Sequence, residues 1–354
     1  MERTIHARSP VRANDLGGWT DTWFAGRGRV LNLAVFPGVE VEVRVGANPR
    51  RTKRRVVVRA DNFGRTFALD PDLPRREPHG LIQYAVGSLP VPRDISLEIA
   101  LFSYVPAGIS TGTSASVCVA LLAALNELRP RKLDWREIAR LAHRVETEGL
   151  GLQSGIQDQI AAAHGGISFI EMTRYPEARV RAVRVDPAVW NDLERRLCLV
   201  TLGRSHRSTV LHGRVIAALE AGGPQLRFVR EMAGIAAQGR VHLLSGDLEA
   251  YGDAMIRNHE CQRALHPSLV SDEADAVAAV ARSFGAAGWK VNGAGGRGGS
   301  MTVLASAEDA LRRRMIGKIS GLGRDVGVIR VTLSPAGAQA WEVGRKGIGR
   351  ALVQ

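Results

Sequence analysis

The sequence predicts an α+β fold of two lobes, an amino-terminal mixed α/β lobe over residues 1–190 and a carboxy-terminal lobe over residues 191–354. Three observations predict it. Strand-like alternation dominates the early part of the chain, helical periodicity begins after Gly112, and the second half alternates longer helical segments with short apolar strands. The length of 354 residues, with 45% hydrophobic and 23% charged, supports two sizeable cores and excludes disorder as the main state.

In chain order, Val39, Val41, Val43 and Val45 alternate with Glu40, Glu42 and Arg44, the pattern of a strand with one buried face, and Val56 to Val58 continue as a short β-branched run. The charge run Arg50 to Arg55, with Lys53 inside it, is expected at a solvated hairpin tip between them. Ile95, Leu97, Ile99 and Leu101 alternate with Ser96, Glu98 and Ala100, so an antiparallel sheet fills much of this region. Val117, Leu121, Leu125 and Leu128 share a helical stripe that stops at Pro130. Asp134 and Glu137 have the spacing of a capping box ahead of the stripe Ile138, Leu141, Ala142 and Val145, which ends before Gly149. Further helices are expected from Phe228 to Leu244 and Glu273 to Phe284, and strands around Leu197 to Leu202, Met301 to Leu304 and Val326 to Val331.

Lysine and arginine total 48 against 35 acids, a net charge of +13 that suits anionic small molecules such as nucleotides. Aromatics are only 5% and no stacking array accompanies the basic residues, so a nucleic-acid partner is not expected. Cys118, Cys198 and Cys261 lack pairing or metal-ligand spacing, and no segment approaches the roughly 18 apolar residues of a membrane span. A cytoplasmic protein with no membrane partner is the expectation.

The segment Pro106-Ala107-Gly108-Ile109-Ser110-Thr111-Gly112-Thr113-Ser114-Ala115-Ser116 ends a strand and opens a helix. Glycines let backbone N–H groups approach an anion, the helix N-terminus adds a positive dipole, and the hydroxyls of Thr113, Ser114 or Ser116 can bind phosphate or magnesium. It is not a Walker A loop, since no Gly-Lys-Ser/Thr follows, and a serine-rich helix start also serves as a structural cap. A second glycine loop, Asn292 to Ser300, is followed by a strand-like run where a dinucleotide motif needs a helix. Close backbone approach and a hairpin turn both fit it. Two further segments place acids beside glycines: Arg8 to Thr22, around Gly17-Gly18, and Gly149 to Gln159.

In this order the segments resemble the GHMP kinase superfamily, over nearly the whole chain. Gly17-Gly18-Trp19-Thr20-Asp21-Thr22 with Val30-Leu31-Asn32 looks fucokinase-like, and Gly155-Ile156-Gln157-Asp158-Gln159 through Gly165-Gly166 looks like the heptose kinases. Asn258-His259-Glu260, Leu265, Pro267, Val270-Ser271 and Asp275 resemble the carboxy-terminal lobe of the heptose kinases. The resemblance implies a two-lobed kinase fold with a ferredoxin-like carboxy-terminal lobe, ATP and Mg2+ as cofactors, and a sugar or sugar phosphate phosphorylated at its anomeric hydroxyl.

Carried over by residue, it implies that Pro106, Gly108, Ser110, Gly112, Thr113, Ser114, Ala115 and Ser116 form the nucleotide-phosphate loop, with Ser114 and Glu146 holding magnesium. Periodicity does not choose between Glu146 and Glu148; the resemblance favours Glu146. It implies Asp158 as the catalytic carboxylate that takes or orients the acceptor proton, and Arg12 as the cation that keeps it ionised. Asp21, Gly18, Trp19, Gly155, Gly295, Gly296 and Arg297 are the implied substrate-binding residues, Asp21 by accepting from ring hydroxyls. Lys290 and the segment 203–208 offer further charge.

The sequence departs from the pattern at Thr111, Ala115, Trp19 and Arg297. None of these removes a phosphate or metal ligand, but Trp19 and Arg297 bear on the acceptor: a flat aromatic reshapes a sugar pocket, and an arginine suits an extra anion. A non-sugar alcohol, cyclitol or nucleoside as acceptor, and a non-catalytic or nucleic-acid-binding protein on the same fold, are the alternatives.

Overall fold

A computed structural model of the chain describes residues 3–74, 79–203 and 209–343. The strands β1 (Arg3–Leu16), β2 (Gly28–Ala47), β3 (Val56–Ala60), β4 (Arg65–Leu69), β5 (Ile95–Ser103), β6 (Ile167–Arg174) and β7 (Glu177–Ala182) belong to one mixed sheet. Strand β2 is its spine. Over its 20 residues it pairs antiparallel with β1, β5 and β6; Val39 to Val45 alternate to bury one face, while residues 30–35 are buried on both.

The run from Arg50 to Arg55 is not a hairpin tip. Strand β3 skips β2 and lies parallel to β5, in the order β1-β2-β5-β3-β4. Arg55 is buried, its guanidinium bonded to Asp72 at 3.2 Å and to the Val91 carbonyl at 2.7 Å. A partner from a later segment thus draws this cation inward, while its charged neighbours stay exposed.

Four helices cover one face of the sheet: α1 (Gly80–Gly87), α2 (Thr113–Asn126), α3 (Trp135–Arg144) and α4 (Gln157–His164). Helix α2 is buried on nearly every side, which its run of Ala, Val and Leu allows. Helix α3 starts at the expected capping box, with Asp134 and Glu137 each accepting from the other's backbone N–H at 2.9 Å. It widens into a π-type turn at Val145–Gly149.

After α5 (Pro187–Arg196), a second sheet holds β8 (Leu197–Leu202) and, after α6 (Thr209–Glu220), α7 (Leu226–Ser245), α8 (Leu248–Leu265) and α9 (Asp272–Ser283), the strands β9 (Gly288–Val291) and β10 (Ser300–Leu304). Helix α10 (Asp309–Ser320) leads to β11 (Val326–Arg330), and the order is β11-β8-β10-β9, all antiparallel. Helices α7 and α8 pack against each other and fill a core shared with β1, β2 and β6. The chain then returns to the first sheet: β12 (Thr332–Leu333) pairs with β2, and β13 (Gln339–Val343) with β1. No described helix is long and apolar enough to cross a membrane.

Candidate active site

The site forms where β1, the α2 loop, α4 and the glycine loop before β10 converge. Strand β1 is irregular here, with register shifts between Ser9 and Val11 and between Ala13 and Leu16, and these aim Arg12 and Asp15 into the interior between the sheets. The Arg12 guanidinium is 5% exposed and donates to Asp158 Oδ1 at 2.7 Å and to the Ser110 carbonyl at 2.6 Å. One side chain therefore ties the acid of α4 to the loop before α2.

Behind Arg12 lies a buried ion cluster. Asp15 accepts from Lys290 Nζ at 2.9 Å, from the Gly293 N–H at 3.1 Å and from Gln157 Nε2 at 3.3 Å. Burial opposes ionisation of Asp15, but Arg12 and Lys290 outweigh it and hold the carboxyl below its ordinary range. Burial likewise pulls Lys290 down, and Asp15 partly offsets that. Arg12, with Asp15 and Asp158 beside it, stays firmly protonated despite its burial.

Asp21 caps α4. Its Oδ2 accepts from the Ile156 N–H at 2.8 Å and the Gln157 N–H at 3.0 Å, so the carboxylate sits on the helix N-terminus. Burial first, and the nearby charges of Asp158 and Asp15, push it up to about 6, against the hydrogen bonds it receives. Gly155 is required by this arrangement: a Cβ there would stand 2.2 Å from Asp21 Oδ2.

Two clefts open here, of which Asp158 lines the smaller. One, of about 250 Å³, is lined by Arg12, Trp19, Asp21, Gly155, Gln157 and Asp158, with Trp23, Phe24, His212, Gly293 and Ala294 around them. Two buried polar atoms of its lining residues, Trp19 Nε1 and Gln157 Oε1, have no partner among the described residues. Trp19 holds φ +74°, the left-handed region that favours glycine, and its ring meets the His212 ring edge-on at 6.2 Å. Gly18, Gly295, Gly296 and Arg297 stand outside this lining. Gly18 packs on the Asp15 carboxylate and Gly295 on the Leu269 carbonyl; Gly296 donates to that carbonyl, and Arg297 is exposed. Within the glycine loop, it is Gly293 and Ala294 that reach the cleft.

The other cleft, of about 630 Å³, is lined by Gly108, Thr113 and Ser114 of the loop and by Asn62, His79, Leu81, Phe102 and Leu152 beyond it. Gly112 caps α2 at φ +70° and faces Asp158, whose Cγ would be 3.0 Å from a Cβ placed there. The loop's serines divide in function. Ser116 is buried and donates to the Pro10 carbonyl at 2.7 Å, while Ser114 is exposed to the cleft. Pro106, Ser110, Gly112, Ala115 and Ser116 shape the loop from outside the lining.

Glu146 lies in the π-type turn, 8% exposed, with Ser154 Oγ and Gln159 Nε2 both donating to Oε2, at 2.8 and 2.7 Å. Oε1 takes no hydrogen bond from a described residue. Burial, and the Asp158 charge acting against those two donors, push the carboxyl up to about 7. Glu148 instead is exposed and paired with Arg144 at 3.1 Å. Glu146 is in the lining of neither cleft, whereas the Ser114 hydroxyl lines the larger one; a desolvated carboxylate with one unpartnered oxygen and a cleft-facing hydroxyl are each hard oxygen donors of the kind magnesium takes. The segment 204–208 lies outside the described residues.

Beyond the loop, the lining of the larger cleft carries no sequence motif. It combines a 3-10 turn, the start of α1, the end of β5 and the loop after the π-type turn, and it includes the aromatic Phe102 as well as His79, which stacks on Phe67 with centroids 4.1 Å apart.

The fold, and the loop that opens α2, are those of the GHMP kinases: residues 81–166 match the family described as GHMP kinases N terminal domain. The chain is 26% identical over 332 residues to the bifunctional fucokinase/GDP-fucose pyrophosphorylase of Arabidopsis thaliana, covering 88% of this chain and 31% of that protein. It is 25% identical over 208 residues to the D-glycero-alpha-D-manno-heptose 7-phosphate kinase of Campylobacter jejuni, covering 58% of this chain and 60% of that one. The chain thus matches less than two thirds of the length of these two relatives. Among solved structures it resembles a D-glycero-D-manno-heptose 1-phosphate kinase from Bacteriodes thetaiotaomicron, with a TM-score of 0.73 and 20% identity over 96% of this chain and 99% of that one.

Proposed function

We propose that the chain is a kinase that uses ATP and magnesium to phosphorylate a sugar or sugar phosphate at its anomeric hydroxyl. The observation that carries the reading is the position of Asp158, which lines the smaller cleft, touches the loop of the larger one at Gly112 and is bonded to Arg12 at 2.7 Å. In this reading the larger cleft takes the nucleotide and the smaller one the acceptor.

The acceptor hydroxyl gives its proton to Asp158 as its oxygen bonds the γ-phosphorus, and the bond from that phosphorus to the β-bridging oxygen breaks to release ADP. Arg12 orients the Asp158 carboxylate through their 2.7 Å hydrogen bond and presents fixed positive charge to the transferring group. Ser114 and Glu146 would hold magnesium, which supplies neutralisation of the phosphate charge. Trp19 Nε1 and Gln157 Oε1, one donor and one acceptor left unpaired at the smaller cleft, suit a ligand that carries several hydroxyls. The relatives named for fucose and heptose substrates support the sugar class.

The test is ADP release from magnesium ATP against free and phosphorylated hexoses, heptoses and pentoses, with Asp158→Asn as control. The reading expects turnover with at least one sugar, lost in the variant. No turnover across the panel would overturn it.

A further inference from the structure

A third cavity, of about 650 Å³, lies between α3, the start of α4 and the β6–β7 hairpin, and shares no lining residue with either cleft of the active site. Its floor is apolar, built from Ala139, Ile156 and Ile160, with Tyr175 beside it. Its rim is cationic. Helix α3 carries Arg136, Arg140 and Arg144 at four-residue spacing, so they repeat along one face roughly every 6 Å. Arg179 enters the same lining from β7.

Two of the four have occupations already. Arg144 is paired with Glu148 at 3.1 Å, and Arg136 lies over the Trp135 ring at 4.4 Å with Asp134 at 4.0 Å. The side chains of Arg140 and Arg179 are exposed and make no ion pair or hydrogen bond with a described residue. Glu177 is the one remaining carboxylate of the lining among the described residues. Two unpaired guanidiniums, contributed by a helix and by a strand to one cavity with an apolar and aromatic floor, form a receptor for an anion on a ring-bearing body.

We propose that this cavity is a second ligand site, binding a small ring-bearing phosphate whose phosphoryl group lies between Arg140 and Arg179 and whose body rests on Ile156, Ile160 and Tyr175. The site stands back to back with the acceptor cleft. Ser154 and Gly155 line that cleft, Ile156 lines this cavity, and the Ile156 N–H is one of the two that hold Asp21. Tyr175 donates to the Ser154 carbonyl at 2.8 Å, and Ser154 Oγ donates to Glu146. A ligand pressing on Ile156 and Tyr175 therefore bears on both carboxyls, a consequence that rests on the kinase reading where the binding itself does not.

The experiment is calorimetric titration of the full chain with uridine 5′-monophosphate and with glucose 6-phosphate, the nucleotide cleft being filled by magnesium adenylyl imidodiphosphate. Uridine and glucose serve as phosphate-free arms, and Arg140→Glu and Arg179→Glu as variants. At least one phosphate should bind, its dissociation constant rising tenfold or more in each variant while the phosphate-free arms stay silent and the melting temperature is unchanged. Silence of both phosphates, or binding that both variants retain, would overturn the proposal. A tyrosine-phosphorylated peptide that binds where both small phosphates fail would overturn it in favour of a protein partner. Because the readout is binding, failure of the kinase reading would leave this result distinguishable.

Discussion

The Cα of Gly155 lies so close to the Asp21 carboxylate that a single added methyl would stand 2.2 Å from Oδ2, well inside van der Waals contact. The absence of a side chain at one position is thus what lets a carboxylate reach the N-terminus of α4 at the edge of the smaller cleft. Gly155→Ala should displace Asp21, costing on the order of 1–3 kcal/mol of stability for the strained contact and the lost cap. Thermal melting and the sugar KM check it together: KM should rise at least tenfold while the KM for ATP stays near the wild-type value.

Asp158 and Arg12 should fail differently. Asp158→Asn removes the proposed proton acceptor from a side chain that is 30% exposed, so kcat should fall roughly 10²–10⁴-fold with little change in melting temperature. Arg12→Ala instead strips a buried cation from Asp15, Asp158 and the Ser110 carbonyl, and should cost on the order of 3–5 kcal/mol in urea unfolding as well as activity.

Glu146 gives a pH signature. Its pKa of about 7 in the fold lies above the ordinary 4.5, so the folded chain keeps a proton that the unfolded chain releases. The stabilising contribution is complete below about pH 4.5 and is lost as the pH rises through 7. Glu146→Gln, which cannot ionise, should therefore melt closer to wild type at pH 4.5 and clearly above it at pH 8. A difference independent of pH would show that burial does not hold the proton there.

His79→Ala and Leu152→Asp alter the cleft assigned to the nucleotide without touching the acceptor side. Each should raise the KM for ATP roughly tenfold, through loss of a stacking or apolar contact, and leave the sugar KM unchanged. A matched rise in both constants would mean that the two clefts are not separately occupied.

Much of this architecture was legible because its signals are local. The alternation of Val39 to Val45, the capping box at Asp134 and Glu137 and the glycine loop before α2 each declare an element within a few residues. What escaped was set by distant partners. Arg55 reads as one more surface cation until Asp72 and the Val91 carbonyl close over it, and that burial accompanies a parallel β3 rather than a hairpin. Lys290 reads only as spare charge beside a glycine loop, because its partner Asp15 is 275 positions away. The lining of the larger cleft beyond the loop is gathered from four separate segments, none with a periodicity or spacing of its own. Within the glycine loop the motif reads as one unit, yet only Gly293 and Ala294 reach the cleft, while Gly296 donates to the Leu269 carbonyl after α8.

The return of β12 and β13 to the first sheet means that the amino-terminal half is not a separable piece. Strand β13 covers the first part of β1, from Thr4 to Arg8, so that this stretch has no free edge. A fragment cut near residue 190 would bare this row of backbone donors and acceptors together with the apolar surface that α7 and α8 now seal. Such a fragment would offer that edge to other strands, so the first sheet is finished only by the last strands of the chain.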